Sequence, residues 1–264
     1  MKVGWLVDFG APVAGMVLQV RAYEAAKPKG IELVHCKPNR RPPSDIDAFI
    51  LHGDLYPRQW IEVFEQKPLM AHRHGGWFAG DTIFRRWVLD NADLVTFNSP
   101  KQRELFKYPV QAKWAYIPTP IDIDKFREAA DKVEKREGTI YLGLLAPVKG
   151  IAHTIDWGLC YNHAIDFYGK ALYPSFIKAI VPPCTYKGPV PYEQIPDLLA
   201  QYENYIFMPY DGDLYSRTTI EAWASGCKMI LDGDQKAFYD YLDADQCRNG
   251  GKIFWETFEE MMNG

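Results

Sequence analysis

The sequence predicts an α/β protein of two lobes, each built on a parallel sheet covered by helices. Three observations carry this. Short apolar runs of strand type alternate with longer amphipathic stretches along most of the 264 residues. The alternation breaks once, at 124–138, where nearly every residue is polar. A second alternating set then follows. The length suits one large domain or two small ones.

In the first half, strands are expected at 3–7, 31–35, 48–51, 69–72, 94–97 and 114–117. Helix-like stretches lie between several of them, at 14–26, 57–64 and 81–90. Short, wholly apolar strands separated by helices favour a parallel sheet buried on both faces. The stretch Asp124-Lys-Phe-Arg-Glu-Ala-Ala-Asp-Lys-Val-Glu-Lys-Arg-Glu-Gly138 reads as a linker or surface helix, and Pro118 and Pro120 ahead of it mark a boundary. The second half expects strands at 139–145, 165–168, 185–187, 205–208 and 228–231. Open parallel sheets bind ligands beyond the carboxyl ends of their strands, so two facing lobes would hold a ligand in the cleft between them.

Composition narrows the classes. A net charge of −4 argues against a generally basic surface for nucleic acid, and the basic cluster at 37–41 reads as a solvated loop. Eight Trp and 16 Tyr demand large cores or clefts that stack on flat ligands. The cysteines, at 36, 160, 184, 227 and 247, are odd in number and form no CxxC pair. Neither a zinc site nor a disulfide framework is indicated, and a reducing, cytoplasmic location is expected. The opening residues read as a strand and not as a signal peptide. No apolar run reaches the roughly 18–20 residues of a membrane span.

Four segments at expected strand ends carry chemistry. Tyr205-Ile-Phe-Met-Pro-Tyr-Asp-Gly-Asp-Leu-Tyr-Ser-Arg-Thr-Thr-Ile-Glu-Ala-Trp-Ala-Ser-Gly226 runs from an apolar strand through a polar loop into a helix. The amides and dipole at the helix start suit a diphosphate, with the hydroxyls of Ser216, Thr218 and Thr219 as further donors and Arg217 as a charge. Glu221, one to two turns into the helix, is placed to accept from a ribose diol; the plainer reading makes Asp213 or Ser216 an N-cap and Glu221 a surface residue. Lys149 follows a strand and loop, where a lysine can neutralise a leaving phosphate or simply be solvated. Asp8-Phe-Gly-Ala-Pro-Val-Ala-Gly15 allows tight turns through Gly10 and Gly15, but is neither GxGxxG nor a P-loop. In Leu69-Met-Ala-His-Arg-His-Gly-Gly-Trp77, His74 or His72 is a candidate substrate contact; a metal would need a further ligand such as His52. No GxSxG nucleophile elbow is present.

Taken in order, the segments 92–100, 116–126, 141–150, 186–199 and 221–226 are together similar to the retaining GT-B glycosyltransferases known as glycosyl transferases group 1. Ala92-Asp-Leu-Val-Thr-Phe-Asn-Ser-Pro100 resembles that family's ADxVxxxS strand. Tyr116-Ile-Pro-Thr-Pro-Ile-Asp-Ile-Asp-Lys-Phe126 resembles IPNGVDxxxF, and Tyr141-Leu-Gly-Leu-Leu-Ala-Pro-Val-Lys-Gly150 resembles VGRLxPxKG. Tyr186-Lys-Gly-Pro-Val-Pro-Tyr-Glu-Gln-Ile-Pro-Asp-Leu-Leu199 resembles FxGxVxxxELxxLY, and Glu221-Ala-Trp-Ala-Ser-Gly226 resembles EAMAxG.

The resemblance implies a compact GT-B enzyme with two Rossmann-like lobes: 1–125 on the acceptor side and 126–264 binding the nucleotide sugar. It implies transfer of a sugar from a UDP- or GDP-linked donor to a hydroxyl acceptor with retention, without a strict need for a metal or other cofactor. The family's paired acids fall on Asp213, facing the transferred sugar, and Glu221, binding the ribose. The backbone from Tyr215 to Thr218 would hold the diphosphate, with Lys149 beside it, Gly15 close to the donor, and His74 as the catalytic contact from the first lobe. Two departures stand out. Asp replaces Glu at 213, and Leu144 stands where the family places a phosphate-binding arginine, a loss that Arg217 is expected to make good. Rival readings are an inactive nucleotide-sugar-binding protein, a sugar-nucleotide epimerase, and a glycosyltransferase acting on hydroxymethylated DNA bases through Arg40-Arg41 and Arg85-Arg86. Saccharide, lipid and protein acceptors also remain open.

Overall fold

The computed structural model describes residues 1–7, 14–37, 40–52, 60–72, 83–104, 110–209, 216–232, 239 and 241–264, with the backbone alone at 14–16, 83–86 and 101. Two compact units divide the chain: 1–120 together with 245–264, and 121–244.

The first unit runs β1 (Lys2–Val7), α1 (Ala14–Ala25), β2 (Glu32–Cys36), β3 (Ala48–His52), α2 (Ile61–Phe64), β4 (Leu69–His72), α3 (Ile83–Asn91), β5 (Leu94–Phe97), α4 (Pro100–Glu104) and β6 (Lys113–Tyr116). Its strands form one parallel sheet in the order β2-β1-β3-β4-β5-β6. Strand alternation feeds two cores. Val3, Trp5 and Val7 of β1 join Val20 and Tyr23 of α1 on one face, while Leu6 joins Phe49, Leu51, Trp60 and Phe64 on the other. The inner strands β3, β4 and β5 are buried at every position, which is why they read as nearly unbroken apolar runs.

The chain returns to this unit through a C-terminal helix, Gly250–Asn263. Phe254 stacks on Tyr23 at 4.1 Å and on Trp5 at 5.5 Å between ring centroids. The Trp255 indole N–H donates to the Tyr23 carbonyl at 2.7 Å. Gly250 makes the approach possible, since a Cβ there would lie 2.6 Å from the Pro118 carbonyl oxygen. The expected second lobe, 126–264, therefore loses its last twenty residues to the first: their aromatic stripe completes the core that β1 and α1 leave open.

The second unit runs α5 (Ile123–Asp131), β7 (Thr139–Leu142), a 3-10 turn (Pro147–Lys149), α6 (Ile151–Cys160), β8 (Asp166–Tyr168), α7 (Pro174–Ala179), β9 (Thr185–Gly188), a second 3-10 turn (Tyr192–Gln194), α8 (Ile195–Ala200), β10 (Asn204–Phe207), α9 (Arg217–Ala224) and β11 (Lys228–Leu231). Its parallel sheet has the order β11-β10-β7-β8-β9. The polar stretch at 124–138 is more than a linker. The Asp122 carboxylate caps α5 by accepting from the Lys125 amide, and Ile123, Phe126, Ala129 and Ala130 form a buried stripe on the side that meets α8 and α9. The strand expected at 139–145 stops at Leu142, and Leu145 makes only an isolated bridge to Ala171.

Candidate functional site

The carboxyl edge of the second sheet gathers two of the four segments. Strand β10, between β11 and β7, is buried to Phe207, and α9 begins eight residues after Pro209, beyond 210–215, which lie outside the described residues. Asp213 and Tyr215 fall in that gap. Ser216 is the extended N-cap of α9, but its hydroxyl does not cap the helix. It pairs instead with the Thr218 hydroxyl at 2.8 Å, which pairs with the hydroxyl of Tyr205 at 3.0 Å. Burial raises the Tyr205 phenol, so it stays protonated. Among the described residues, the buried Thr219 hydroxyl has no hydrogen-bond partner.

Glu221 is not the surface residue of the plainer reading: it is 1% exposed. A charge so buried requires partners, and α9 and the turn after β9 supply them. Arg217, one helical turn earlier, donates from Nε to Oε1 at 2.7 Å. The Tyr192 hydroxyl donates to the same oxygen at 3.0 Å and accepts from Arg217 Nη2 at 2.9 Å. Among the described residues, Oε2 accepts no hydrogen bond. Burial pushes the Glu221 carboxyl up, against the pull of Arg217 and Tyr192. For Arg217, burial works against the charge, and Glu221 and Tyr192 together more than restore it. The Tyr192 phenol is pushed up to about 12 by burial and the charge of Glu221, so at neutral pH it remains a donor.

Arg217 is thus engaged inside the unit with Glu221 and Tyr192. Tyr192 was missed by sequence reasoning. Its one signal was its place in the segment resembling FxGxVxxxELxxLY, where nothing marks it as a partner of Glu221.

Lys149 ends the 3-10 turn after β7, its Nζ 6.0 Å from the centre of the Phe207 ring at the end of β10. Gly150 fixes that proximity. Its backbone is left-handed, with φ of 63°, and a Cβ would stand 1.7 Å from the Met208 carbonyl oxygen. Only glycine lets this loop lie against the strand end. Leu144 offers no charge, and its carbonyl accepts from the Tyr141 hydroxyl at 3.1 Å.

In the first unit, Gly15 lies in the first turn of α1, while Asp8 and Gly10 fall outside the described residues, as does His74. His72 ends β4 fully buried. Its Nδ1 is 2.7 Å from the Thr96 hydroxyl, and its Nε2 is 3.2 Å from the Tyr23 hydroxyl and 3.4 Å from Gln19 Nε2. As a direct substrate contact His72 is therefore corrected: both ring nitrogens are engaged within the core. His52 stands beside it in register, ring centroids 4.8 Å apart. Among the described residues no group of three His, Cys, Asp or Glu side chains gathers as metal ligands.

Two α/β units, each built on one parallel sheet, give the GT-B fold, and the second carries a buried acid on the helix that follows β10. No family model and no curated protein matches the sequence. Solved structures do. AviGT4, a glycosyltransferase of avilamycin A biosynthesis, is 16% identical over 100% of this chain and 98% of its own, with a TM-score of 0.60. HepE of Anabaena, solved in complex with UDP, is 14% identical over 96% and 94%, with a TM-score of 0.65. The DNA-modifying enzyme β-glucosyltransferase, whose substrate is uridine diphosphoglucose, is 11% identical over 100% and 91%, with a TM-score of 0.52. At these identities the likeness fixes the fold; the chemistry rests on the residues above.

Proposed function

We propose that this chain is a glycosyltransferase that moves a sugar from a nucleoside-diphosphate sugar to a hydroxyl acceptor, with retention. The observation that carries the proposal is the pairing of Glu221: one oxygen is held by Arg217 and Tyr192, and the other accepts nothing among the described residues. A carboxylate fixed through one oxygen presents the other, pre-oriented, to a diol. UDP is the first nucleotide to test, because HepE has been solved with UDP and with UDP-glucose.

Charge grows on the departing diphosphate as the transition state takes oxocarbenium character. Lys149 and the amides and hydroxyls at Ser216 and Thr218 would stabilise it. Arg217 would act one layer behind, by holding Glu221. Asp213 and His74, outside the described residues, are proposed to meet the transferred sugar, Tyr215 the diphosphate through its backbone, and Gly15 to allow close approach of the donor. No resident metal is invoked, so transfer should persist in a chelator.

Calorimetric titration with UDP and GDP, followed by transfer assays on saccharide, lipid, protein and hydroxymethylated-DNA acceptors, tests this. Glu221→Gln should weaken the nucleotide by roughly tenfold or more, as expected for a lost charge-assisted hydrogen bond. If no nucleotide binds, the proposal fails. If UDP binds but no acceptor is glycosylated, the chain is a binding protein. The anomeric configuration of the product decides retention.

A further inference from the structure

Among the described residues, large apolar side chains with substantial exposure concentrate in one part of the second unit. Leu172, Tyr173, Ile177 and Val181 are 45, 52, 37 and 44% exposed. They flank or belong to α7, and α6, which meets α7, adds Leu159 and Tyr161. Tyr173 is the extended N-cap of α7, its ring 5.9 Å between centroids from that of Phe176, the residue before Ile177. Single exposed apolar residues need no explanation, but a contiguous group does.

Charge is segregated in the same place. From Phe167 to Tyr192 the sequence holds Lys170, Lys178 and Lys187 and no Asp or Glu, in a chain whose net charge is −4. Lys170 and Lys178 are exposed. Lys187 lies 3.5 Å from Asp166 and is partly neutralised. Exposed apolar residues and exposed lysines thus alternate along 170–181, with no acid among them.

We propose that the α7 face docks on an anionic lipid surface, with Leu172, Tyr173, Ile177 and Val181 entering the interfacial layer while Lys170 and Lys178 reach lipid phosphates. Tyrosine suits the boundary between hydrocarbon and water, and lysine stems lie along apolar surface while their ends stay wet. A second copy of the chain is the poorer occupant, because a two-fold contact would set the lysines of one face against those of the other. Docking of this kind lies on the membrane and does not span it, and no helix among the described residues is long and apolar enough to cross. The proposal is independent of the donor chemistry, and its test uses no turnover.

The full chain is floated with vesicles of phosphatidylcholine alone and of phosphatidylcholine with phosphatidylserine. Binding is expected to the anionic vesicles, weakened by salt. Each lysine near such a surface contributes roughly fivefold, so Lys170→Glu with Lys178→Glu should lower the bound fraction at least about twentyfold. Ile177→Asp should abolish insertion while leaving the melting temperature and circular dichroism of the chain unchanged. Failure of the parent to float with phosphatidylserine vesicles overturns the proposal. So does undiminished flotation of the lysine variant, equal retention by duplex DNA, or self-association that these substitutions abolish.

Discussion

Glu221 and Arg217 form a pair from which neither partner can be removed alone. Arg217→Ala leaves a carboxyl group that is 1% exposed with, among the described residues, the Tyr192 hydroxyl alone as hydrogen-bond partner. Breaking a buried pair from one side costs about 3–5 kcal/mol, and denaturant unfolding should show it. If stability were unchanged, the pair would have no structural role. Proton linkage gives a second expectation. Burial holds the Glu221 carboxyl above its ordinary value, so ionising it adds no stability to the folded chain; the cost enters as pH rises from the ordinary value to the raised one. A diol donating to Oε2 favours the ionised form. Nucleotide affinity should therefore fall on acidification, beginning at a pH above that of an ordinary carboxylic acid. Tyr192→Phe removes a donor to Oε1 and should move the loss to still higher pH, whereas Glu221→Gln should flatten the profile. A profile that is identical in all three proteins would remove Glu221 from the site.

The elements behind this pair were legible in the sequence to differing depths. β4 and β5 were fixed to the residue, because all four positions of each are buried and the apolar runs that record this are short and bounded. α5 was obscured by its charges: Phe126 is the one large apolar residue within the polar stretch, and its buried neighbours Ala129 and Ala130 are too small to signal a stripe. The end of β7 was overrun because Gly143, Leu144 and Leu145 continue the apolar pattern after the ladder has ended. The loop from β7 to α6 offers a test at this scale. Gly150→Ala must leave the left-handed region or displace Met208, at a cost of at least about 1–3 kcal/mol. The melting temperature should drop, and because Lys149 is the preceding residue, nucleotide affinity should drop with it. A variant as stable as the parent and as tight for UDP would show that this close approach does not matter.

At the scale of the molecule, the order of the motifs pointed to the GT-B fold, while the allocation of the last residues did not follow from them. Trp5, Tyr23, Phe254 and Trp255 are far apart in sequence and make one aromatic cluster, a pairing that no local pattern reveals. Trp255→Ala removes a buried ring and its bond to the Tyr23 carbonyl, and should cost about 3–5 kcal/mol in the unfolding of the first unit. If unfolding resolves into two transitions, the earlier or later one that tracks 121–244 should hardly move. That return of the chain also sets an order of assembly during synthesis. Residues 121–244 are synthesised before 245–264 and leave the ribosome ahead of them, so the second unit can begin to close while Trp5 and Tyr23 still wait, uncovered, for Phe254 and Trp255. The nascent chain is then most exposed to aggregation at its oldest end, and a stalled or truncated product would carry a finished second unit beside an unsealed first one.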